Sequence, residues 1–181
     1  MELRQIGKGI LYAFLIALFI RVFIVDIFSV NGDSMSPTIV NGEYVIVNRV
    51  AYLFNTPKRG DIVVSKTREE GIKVVKRIMG LPEDRLEVFG KNGQVVAKKD
   101  RRDVGEIVAG TGALVTRDTD SLLDDSSKNT FRVDPYEYFV LGDDREVSID
   151  SRRFGAIDAW DIKGKVIFKF NLKTFSLSKL E

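Results

Sequence analysis

The chain has 181 residues, of which 44% are hydrophobic and 30% charged, enough for one folded domain with a sizeable core. Its 28 basic and 26 acidic residues leave a net charge of +2, which does not mark it as a nucleic-acid-binding protein. Cysteine and histidine are absent, which excludes disulfides, thiol nucleophiles, Cys/His zinc sites and Ser-His-Asp triads and leaves serine, threonine, lysine, tyrosine and carboxylates for any catalysis.

The first predicted element is an apolar segment at residues 10–28, whose only side chains charged at neutral pH are Arg21 and Asp26. A helix of that length spans about 28 Å, close to the thickness of a bilayer core. A cleaved signal peptide and a buried helix of a soluble domain are the alternatives, but no A-x-A cleavage pattern follows the segment. We therefore expect an uncleaved transmembrane anchor, with Arg21 near its far end, where a long side chain reaches the interface.

The basic residues that flank this segment are distributed asymmetrically. Arg4 and Lys8 precede it, whereas residues 22–48 contain no lysine or arginine. The positive-inside rule then predicts a cytoplasmic N-terminus at residues 1–9 and an extracytoplasmic domain at residues 29–181. The expected location is the plasma membrane, with a single span and with lipid as a partner.

After the anchor, short runs rich in valine, isoleucine, phenylalanine and tyrosine alternate with turn signals, which predicts a mainly antiparallel β domain. The predicted strands cover residues 44–47, 62–65, 72–75, 86–89, 95–97, 139–141 and 166–170. The pairs Asn41-Gly42 and Asn92-Gly93 suit tight hairpins because both residue types tolerate positive φ. The C-terminal stretch from Lys165 alternates apolar and polar residues as a half-buried strand does.

Residues 98–127 are rich in Asp, Lys, Arg, Ser and Gly and are expected to form a loop or insertion. Within them the run KKDRRD, residues 98–103, favours a solvated face, with contact to anionic lipid as the alternative. Upstream, Arg59-Gly60-Asp61 spells an adhesion tripeptide, but its place before a β run indicates a plain turn.

Three segments mix small, charged and apolar residues in ways that packing alone does not require: 31–38, 73–84 and 142–155. Ser34, in the first of them, needs a base to become a nucleophile, and without histidine a deprotonated lysine is the substitute. Lys76 is the candidate, because alternation places it on the same strand face as Val74 and Ile72, which we expect to be buried.

Burial would have to lower the lysine pKa by about 3 units, which corresponds to about 4 kcal/mol. From the pattern alone a structural role also stays open, in which Ser34 caps a turn and Lys76 ends a strand.

The motifs GDSMSPT, VKRIMGLP and GDDREVSIDSRRFG, in this order behind an anchor, closely resemble those of bacterial type I signal peptidases. These are membrane-anchored serine proteases that remove signal peptides from exported proteins. The resemblance covers nearly the whole chain and is weakest over residues 98–130. It implies that Ser34 is the nucleophile and Lys76 the general base.

The same resemblance implies supporting roles for other residues. Met35 and Pro37 shape the active-site turn, Ser148 orients the Lys76 amine, and Asp150 and Arg152 hold the last segment in place. No metal or organic cofactor is implied.

Some positions depart from the family pattern or leave a choice. Gly32 stands where some members carry a serine that helps the oxyanion hole, so backbone N–H groups, including that of Ser34, are expected to serve here. Asp144 replaces a common asparagine, and Glu83 replaces a common glycine in a turn. Ser36 is a rival nucleophile, disfavoured by the motif and by the restriction that Pro37 imposes on it.

The resemblance therefore implies cleavage of secretory preproteins by acyl transfer, with no nucleic-acid partner. An extended peptide is expected to pair with strand backbone near residues 26–31 and 73–75. Two other functions remain as alternatives. A self-processing peptidase of the SOS-repressor type shares the Ser-Lys pair, although the anchor and the lack of a DNA-binding helical domain count against it. In a non-catalytic exported β domain that binds partners, Ser34 and Lys76 would be incidental.

Overall fold

The computed structural model describes residues 2–67, 71–89, 94–99, 102–107, 114–115 and 128–180. The chain begins with helix α1 (Glu2–Phe19), continues as a π-helix (Ile20–Ile24) and then enters strand β1 (Val25–Ser29). The predicted helical segment at residues 10–28 is therefore too long at its C-terminal end. The β-branched and aromatic residues after Ile24 pair along their whole length with a neighbouring strand, and those sheet hydrogen bonds replace helical ones.

The large apolar side chains described along α1 are exposed. They are Ile6, Ile10, Leu11, Tyr12, Phe14, Leu15, Ile16 and Leu18. Over the part of the chain that is described, no helix combines the length and the apolar character that crossing a membrane requires.

The remaining elements are mostly short strands. They are β2 (Tyr44–Asn48), β3 (Ile62–Lys66), β4 (Lys73–Gly80), β5 (Arg85–Phe89), β6 (Gln94–Lys99), β7 (Arg102–Ile107), β8 (Leu114–Val115), β9 (Lys128–Arg132), β10 (Glu137–Leu141), β11 (Ile157–Asp158), β12 (Ile162–Asn171) and β13 (Ser176–Lys179). A one-turn helix, α2 (Ser151–Phe154), and a 3₁₀ turn (Ala159–Asp161) lie between β10 and β12.

Within the described residues the strands form two antiparallel sheets. The larger has the order β1-β2-β12-β3-β4-β10-β11, with β13 paired to β12, and the smaller has the order β8-β7-β6-β5-β9. The prediction of a mainly antiparallel β domain is confirmed, and every predicted strand overlaps an observed one.

The stretch at residues 98–127, expected to be a loop or insertion, contains β7 and β8 and the end of β6. Lys98 and Lys99 belong to β6 and Arg102 and Asp103 to β7, and the two strands pair antiparallel, with Lys98 opposite Asp103 and Lys99 opposite Arg102. The positions of this run that the structure describes are therefore strand residues and not loop residues. The turn predicted at Asn92-Gly93 lies outside the described residues.

One predicted turn and one predicted strand differ in detail from the structure. Gly42 has φ 85°, as expected for its turn, but the connection from β1 to β2 spans residues 30–43 rather than a tight hairpin. The C-terminal stretch predicted as one strand is a hairpin of β12 and β13, because residues 172–175 form a turn.

Arg59-Gly60-Asp61 is a structural turn, as predicted. Gly60 has φ 89°, Arg59 forms an ion pair with buried Asp84 at 2.6 Å, and Asp61 accepts a hydrogen bond from Lys165 Nζ at 2.6 Å. Both charged members of the tripeptide are therefore engaged inside the molecule.

The hydrophobic core under the β1 end of the larger sheet fixes the connection from β1 to β2. Met35 and Ile39, at 1% and 0% exposure, pack there with Val45, Val47 and other strand residues. Burial of these two side chains holds the segment that carries Ser34 against the sheet.

Candidate active site

Ser34 lies in a turn anchored on both sides. The next residue, Met35, is in the core, the N–H of Ile39 donates to the Met35 carbonyl at 2.8 Å, and the N–H of Ser36 donates to the Asp33 carbonyl at 2.9 Å. The Ser34 side chain is itself half-buried. A hydroxyl held this way has few conformations to lose when it reacts.

Lys76 is brought to Ser34 by strand β4. Its side chain is 3% exposed, and its Nζ donates to Ser34 Oγ at 2.7 Å across 42 positions of sequence. The rival Ser36 does not receive this bond. The prediction that Lys76 shares a buried strand face with Val74 and Ile72 is only partly correct, since Val74 is half-buried and Ile72 is 53% exposed. Among the described strands β10 covers β4 only from Arg77 onward, which leaves the first half of β4 more open.

Burial lowers the pKa of Lys76 from its ordinary 10.5 to about 8. The carboxylates of Asp150 and Asp143 act in the opposite direction, and the nearby Arg152 guanidinium adds to the lowering. An appreciable fraction of the side chain is therefore a neutral amine near neutral pH, and a neutral Nζ can accept the Ser34 proton.

Gly142 allows the segment at residues 142–155 to lie against the Ser34 turn. A Cβ atom at this position would come within 2.4 Å of the Ser34 carbonyl oxygen and 2.3 Å of Ser148 Oγ. The N–H of Asp144 also donates to the Ser34 carbonyl at 3.1 Å. Only a residue without a side chain permits this approach.

Ser148 is buried close to Ser34, but the structure has no hydrogen bond between Ser148 and Lys76. The Ser148 hydroxyl oxygen forms no hydrogen bond of ordinary geometry among the described residues, but the Ser148 side chain interacts with the Asp150 carboxylate and helps to lower its pKa. Its predicted role in orienting the lysine amine therefore remains a prediction, and the structure contributes a buried hydroxyl beside the reacting pair.

Asp150 and Arg152 form a pair within the same segment. Arg152 donates to both carboxylate oxygens, from Nε at 2.8 Å and from a terminal nitrogen at 2.9 Å, and a third bond runs to the Arg145 carbonyl at 2.7 Å. Asp150 also accepts the N–H of Gly142 at 3.1 Å. Burial by itself raises the pKa of Asp150, but these hydrogen bonds outweigh it, so the pKa lies below its ordinary value. The pair thus ties the two ends of the segment together.

A second buried ion pair was missed from the sequence. Arg77 donates to Asp143 through two bonds, at 2.8 and 2.7 Å, and a third bond reaches the Gly60 carbonyl at 2.9 Å. Both residues lie inside the recognised motifs, directly beside Lys76 and Gly142. From the sequence, charged residues at these positions are expected to be exposed to solvent, because charged side chains are rarely buried. Only the bidentate geometry identifies the Arg77–Asp143 pair as a structural clamp.

The positions that depart from the family pattern, Gly32, Glu83 and Asp144, have backbone angles or hydrogen bonds that suit their turns. Gly32 has φ 102°, and its N–H donates to the Asn41 side chain at 3.2 Å, so this backbone donor is already engaged. Glu83 has φ 69°, so the turn keeps a glycine-like backbone. Asp144 accepts the N–H of Glu146 at 3.2 Å through its side chain, a bond that an asparagine oxygen could also accept. Pro37, the remaining predicted turn residue, follows a cis peptide bond and is exposed.

No group of histidine, cysteine or carboxylate side chains suited to hold a metal occurs in the described ranges. The candidate site thus consists of the Ser34 hydroxyl, the buried Lys76 with its lowered pKa, and the segment at residues 142–155, which the Asp150–Arg152 and Arg77–Asp143 ion pairs hold in place.

Comparison with known proteins gives a consistent set of relatives. The family model described as "Signal peptidase, peptidase S26" matches residues 3–171. Signal peptidase IB of Staphylococcus aureus strain N315 is 34% identical over 178 residues, covering 93% of this chain and 90% of the relative. Signal peptidase I P of Bacillus subtilis subsp. natto is 34% identical over 169 residues, covering 91% and 86%. The solved structure of a signal peptidase I from Enterococcus faecalis V583 is 23% identical, with a TM-score of 0.44, and covers 61% of this chain and 97% of that chain.

Proposed function

The chain belongs to the signal peptidase S26 family, and from this premise we propose that it cleaves preproteins with Ser34 as nucleophile and Lys76 as general base. Membership makes it a serine peptidase of the signal peptidase I type, which acts on signal peptides. The non-catalytic binding domain is thereby set aside. The observation that carries the assignment of residues is the 2.7 Å distance between Lys76 Nζ and Ser34 Oγ, with the lysine buried.

In the proposed reaction the neutral Lys76 amine takes the hydroxyl proton as Ser34 Oγ bonds to the scissile carbonyl carbon. The tetrahedral intermediate then collapses, the C–N bond breaks, and the Lys76 ammonium gives its proton to the leaving amine. Water then attacks the acyl-enzyme and Lys76 accepts its proton. The bond between the acyl carbon and Ser34 Oγ breaks, Lys76 returns the proton to Ser34 Oγ, and the signal peptide leaves as a carboxylic acid that ionises in solvent. The pKa of about 8 supports both directions of proton transfer near neutral pH.

The oxyanion is assigned to backbone donors. The Ser34 N–H is the first of them, since it moves with the nucleophile. Asn41 accepts the Gly32 N–H, so that group can contribute only if this bond is released. We therefore rest the proposal on Ser34 and assign no side-chain donor.

Substrate binding is assigned to two open strand edges. Among the described strands β1 pairs only with β2, and the first half of β4 pairs only with β3. An extended peptide can add as a strand to such edges, close to Lys76 at the end of the open part of β4. Small side chains at the first and third positions before the cut would then fit beside the strands.

We also propose that the N-terminal segment anchors the chain in the plasma membrane, with the N-terminus in the cytoplasm and the β domain outside. The exposed apolar side chains of α1 and the basic residues Arg4 and Lys8 before its apolar part support this. Alkaline carbonate extraction of membranes tests it, since an anchored chain stays in the membrane pellet and a peripherally bound chain is released.

The catalytic assignment is tested with the full chain in detergent and a purified preprotein, with products sized by mass. Wild type is expected to release the mature protein, and Ser34→Ala and Lys76→Met are expected to lose this activity while remaining folded by circular dichroism. Ser36→Ala is the matched control, two residues away, and keeps its activity. Retained cleavage in folded Ser34→Ala would contradict the proposal, and cutting of the enzyme's own chain alone would favour the self-processing alternative.

A further inference from the structure

The pairing of β1 with β2 shows which backbone groups of β1 face its open edge. The N–H of Val30, the residue directly after β1, donates to the Glu43 carbonyl at 2.9 Å, in register with the rest of the strand pair. Backbone groups alternate in direction along a strand, so even-numbered residues of β1 bond to β2. The odd-numbered residues present their N–H and carbonyl groups at the open edge, and they are Val25, Ile27 and Ser29.

Two of these edge groups are already bonded to side chains of the chain itself. Arg21 donates from a terminal nitrogen to the Val25 carbonyl at 3.2 Å, and the Asp26 carboxylate accepts the N–H of Ile27 at 2.9 Å. The same guanidinium nitrogen and the same carboxylate oxygen form an ion pair at 3.2 Å. We call these two side chains, Arg21 and Asp26, the edge cap.

The edge cap reproduces the hydrogen bonds of one residue in a parallel strand. A residue of a parallel partner donates its N–H to the carbonyl of one residue and accepts the N–H of the residue two positions further along. At the start of β1 those two groups are the Val25 carbonyl and the Ile27 N–H, which Arg21 and Asp26 bond instead. The next such place along β1, opposite Phe28, lies beyond the edge cap.

The proposed topology makes a signal peptide run parallel to β1. A signal peptide has basic residues before its apolar segment, as α1 has Lys8 before its own, so both enter the membrane with the N-terminus in the cytoplasm. The cleavage region then leaves the membrane in the direction of β1, which follows α1. Peptide residues far from the cut therefore meet the Arg21 end of β1, and residues near the cut meet the end closest to Ser34.

We propose that the edge cap ends the peptide-binding edge of β1, because it fills the place of one substrate residue and leaves the signal peptide beyond that place unpaired. An ion pair as exposed as this one contributes little by its charges alone. Its effect comes from satisfying two edge groups, which an incoming strand would otherwise bond. Arg21 and Asp26 thus position the substrate without touching the reacting atoms. The inference rests on the proposed function, since it takes β1 as the substrate edge.

The test is a scan of substrate peptides in which one backbone N–H at a time is methylated, at positions two to eight before the cut. Loss of a paired donor is expected to lower kcat/KM about fivefold. In wild type the sensitive positions are expected to end at the edge cap. In the double variant Arg21→Met, Asp26→Ala, one further position, more distant from the cut, becomes sensitive by about fivefold, because the Val25 carbonyl can now accept its N–H.

Two variants serve as controls, and circular dichroism checks that each chain is folded. Asp161→Ala, Lys163→Met removes an exposed ion pair elsewhere and keeps the wild-type pattern. Asp26→Asn also keeps it, since an amide oxygen can accept the Ile27 N–H. An identical pattern in wild type and in the double variant overturns the inference, because the peptide then either displaces the edge cap or does not use this edge. A further sensitive position that appears equally in the Asp161, Lys163 control also overturns it.

Hydrogen exchange tests the inference without altering the edge cap. In the uncleaving Ser34→Ala chain, saturation with the unmethylated peptide is expected to slow exchange of the Ser29 amide about tenfold or more and to leave that of the Ile27 amide unchanged. Equal slowing of both amides overturns the inference, since the peptide would then have replaced the edge cap. Failure of the proposed function is recognised separately, because wild type then does not cleave the unmethylated peptide in a way that depends on Ser34.

Discussion

Replacement of Lys76 by methionine isolates the energetic consequence of burying an ammonium group beside Ser34. The pKa of Lys76 falls from 10.5 to about 8 in the folded chain, and at 1.36 kcal/mol per unit the buried charge costs about 3 kcal/mol. Methionine has similar length and carries no charge, but it loses the hydrogen bond to Ser34 Oγ, a loss of about 1 kcal/mol. At pH 7 we expect Lys76→Met to be more stable than wild type by about 2 kcal/mol.

The sign of the stability difference between Lys76→Met and wild type changes with pH. Below pH 8 the lysine is protonated in both the folded and the unfolded chain, so the full cost applies. Between pH 8 and 10.5 the folded chain has released this proton and the unfolded chain still holds it, so the wild-type free energy of unfolding rises with pH relative to that of the variant. Above pH 10.5 the charge cost is gone. The stability order is then expected to reverse, with wild type ahead by about 1 kcal/mol.

The assay is urea unfolding of the full chain in detergent, followed by far-ultraviolet circular dichroism at pH 7, 8.5 and 10.5. The slopes of free energy against urea must agree between wild type and variant, so that the midpoints report stability alone. Lys173→Met, which removes an exposed lysine at the turn after β12, serves as the control variant. A stability difference between Lys76→Met and wild type that stays constant across this range would refute the reasoning, because it would mean that Lys76 titrates alike in both states.

Three further predictions concern activity and packing. The kcat/KM for a signal-peptide substrate is expected to rise about tenfold from pH 7 to 9 and then to level off, because Lys76 has a pKa of about 8. A kcat/KM that keeps rising to pH 10.5 would contradict a lowered pKa of Lys76. Gly142→Ala lowers kcat about 100-fold or more, because its Cβ meets the Ser34 carbonyl oxygen and displaces the nucleophile, whereas Gly9→Ala, with open space around it, leaves kcat unchanged. Arg77→Met lowers the free energy of unfolding by about 3 kcal/mol in urea titrations, since it leaves the Asp143 carboxylate buried without its partner; a loss below about 1 kcal/mol would mean that Asp143 finds another partner or water.

The strands were predictable because their signal is local. Alternation and β-branched composition located β2, β3 and β10 without knowledge of their partners. The predicted anchor instead ran into β1, since apolar residues suit both a helix and a buried strand. Sheet pairing with β2 decides between the two, and that pairing joins residues about 20 positions apart.

Part of the candidate site was predictable, because the composition leaves few residue types that can act as nucleophile and base. Without histidine or cysteine, a serine nucleophile needs another base, and the motif resemblance supplied Ser34 and Lys76. The clamp between Arg77 and Asp143 was missed because its members are 66 positions apart and each alone suits a solvated surface. The orienting role that the resemblance implies for Ser148 stays a prediction, and the structure has this side chain buried close to Ser34.

The sequence by itself determined which functional groups this chain possesses and that most of it forms short antiparallel strands, because composition and alternation are properties of neighbouring residues. Only the tertiary structure decided that Ser34 and Lys76 approach to 2.7 Å and that the lysine pKa falls to about 8. Proximity and desolvation depend on how distant strands curl around one another, and Gly142 and the two ion pairs maintain that arrangement through contacts that no local pattern encodes.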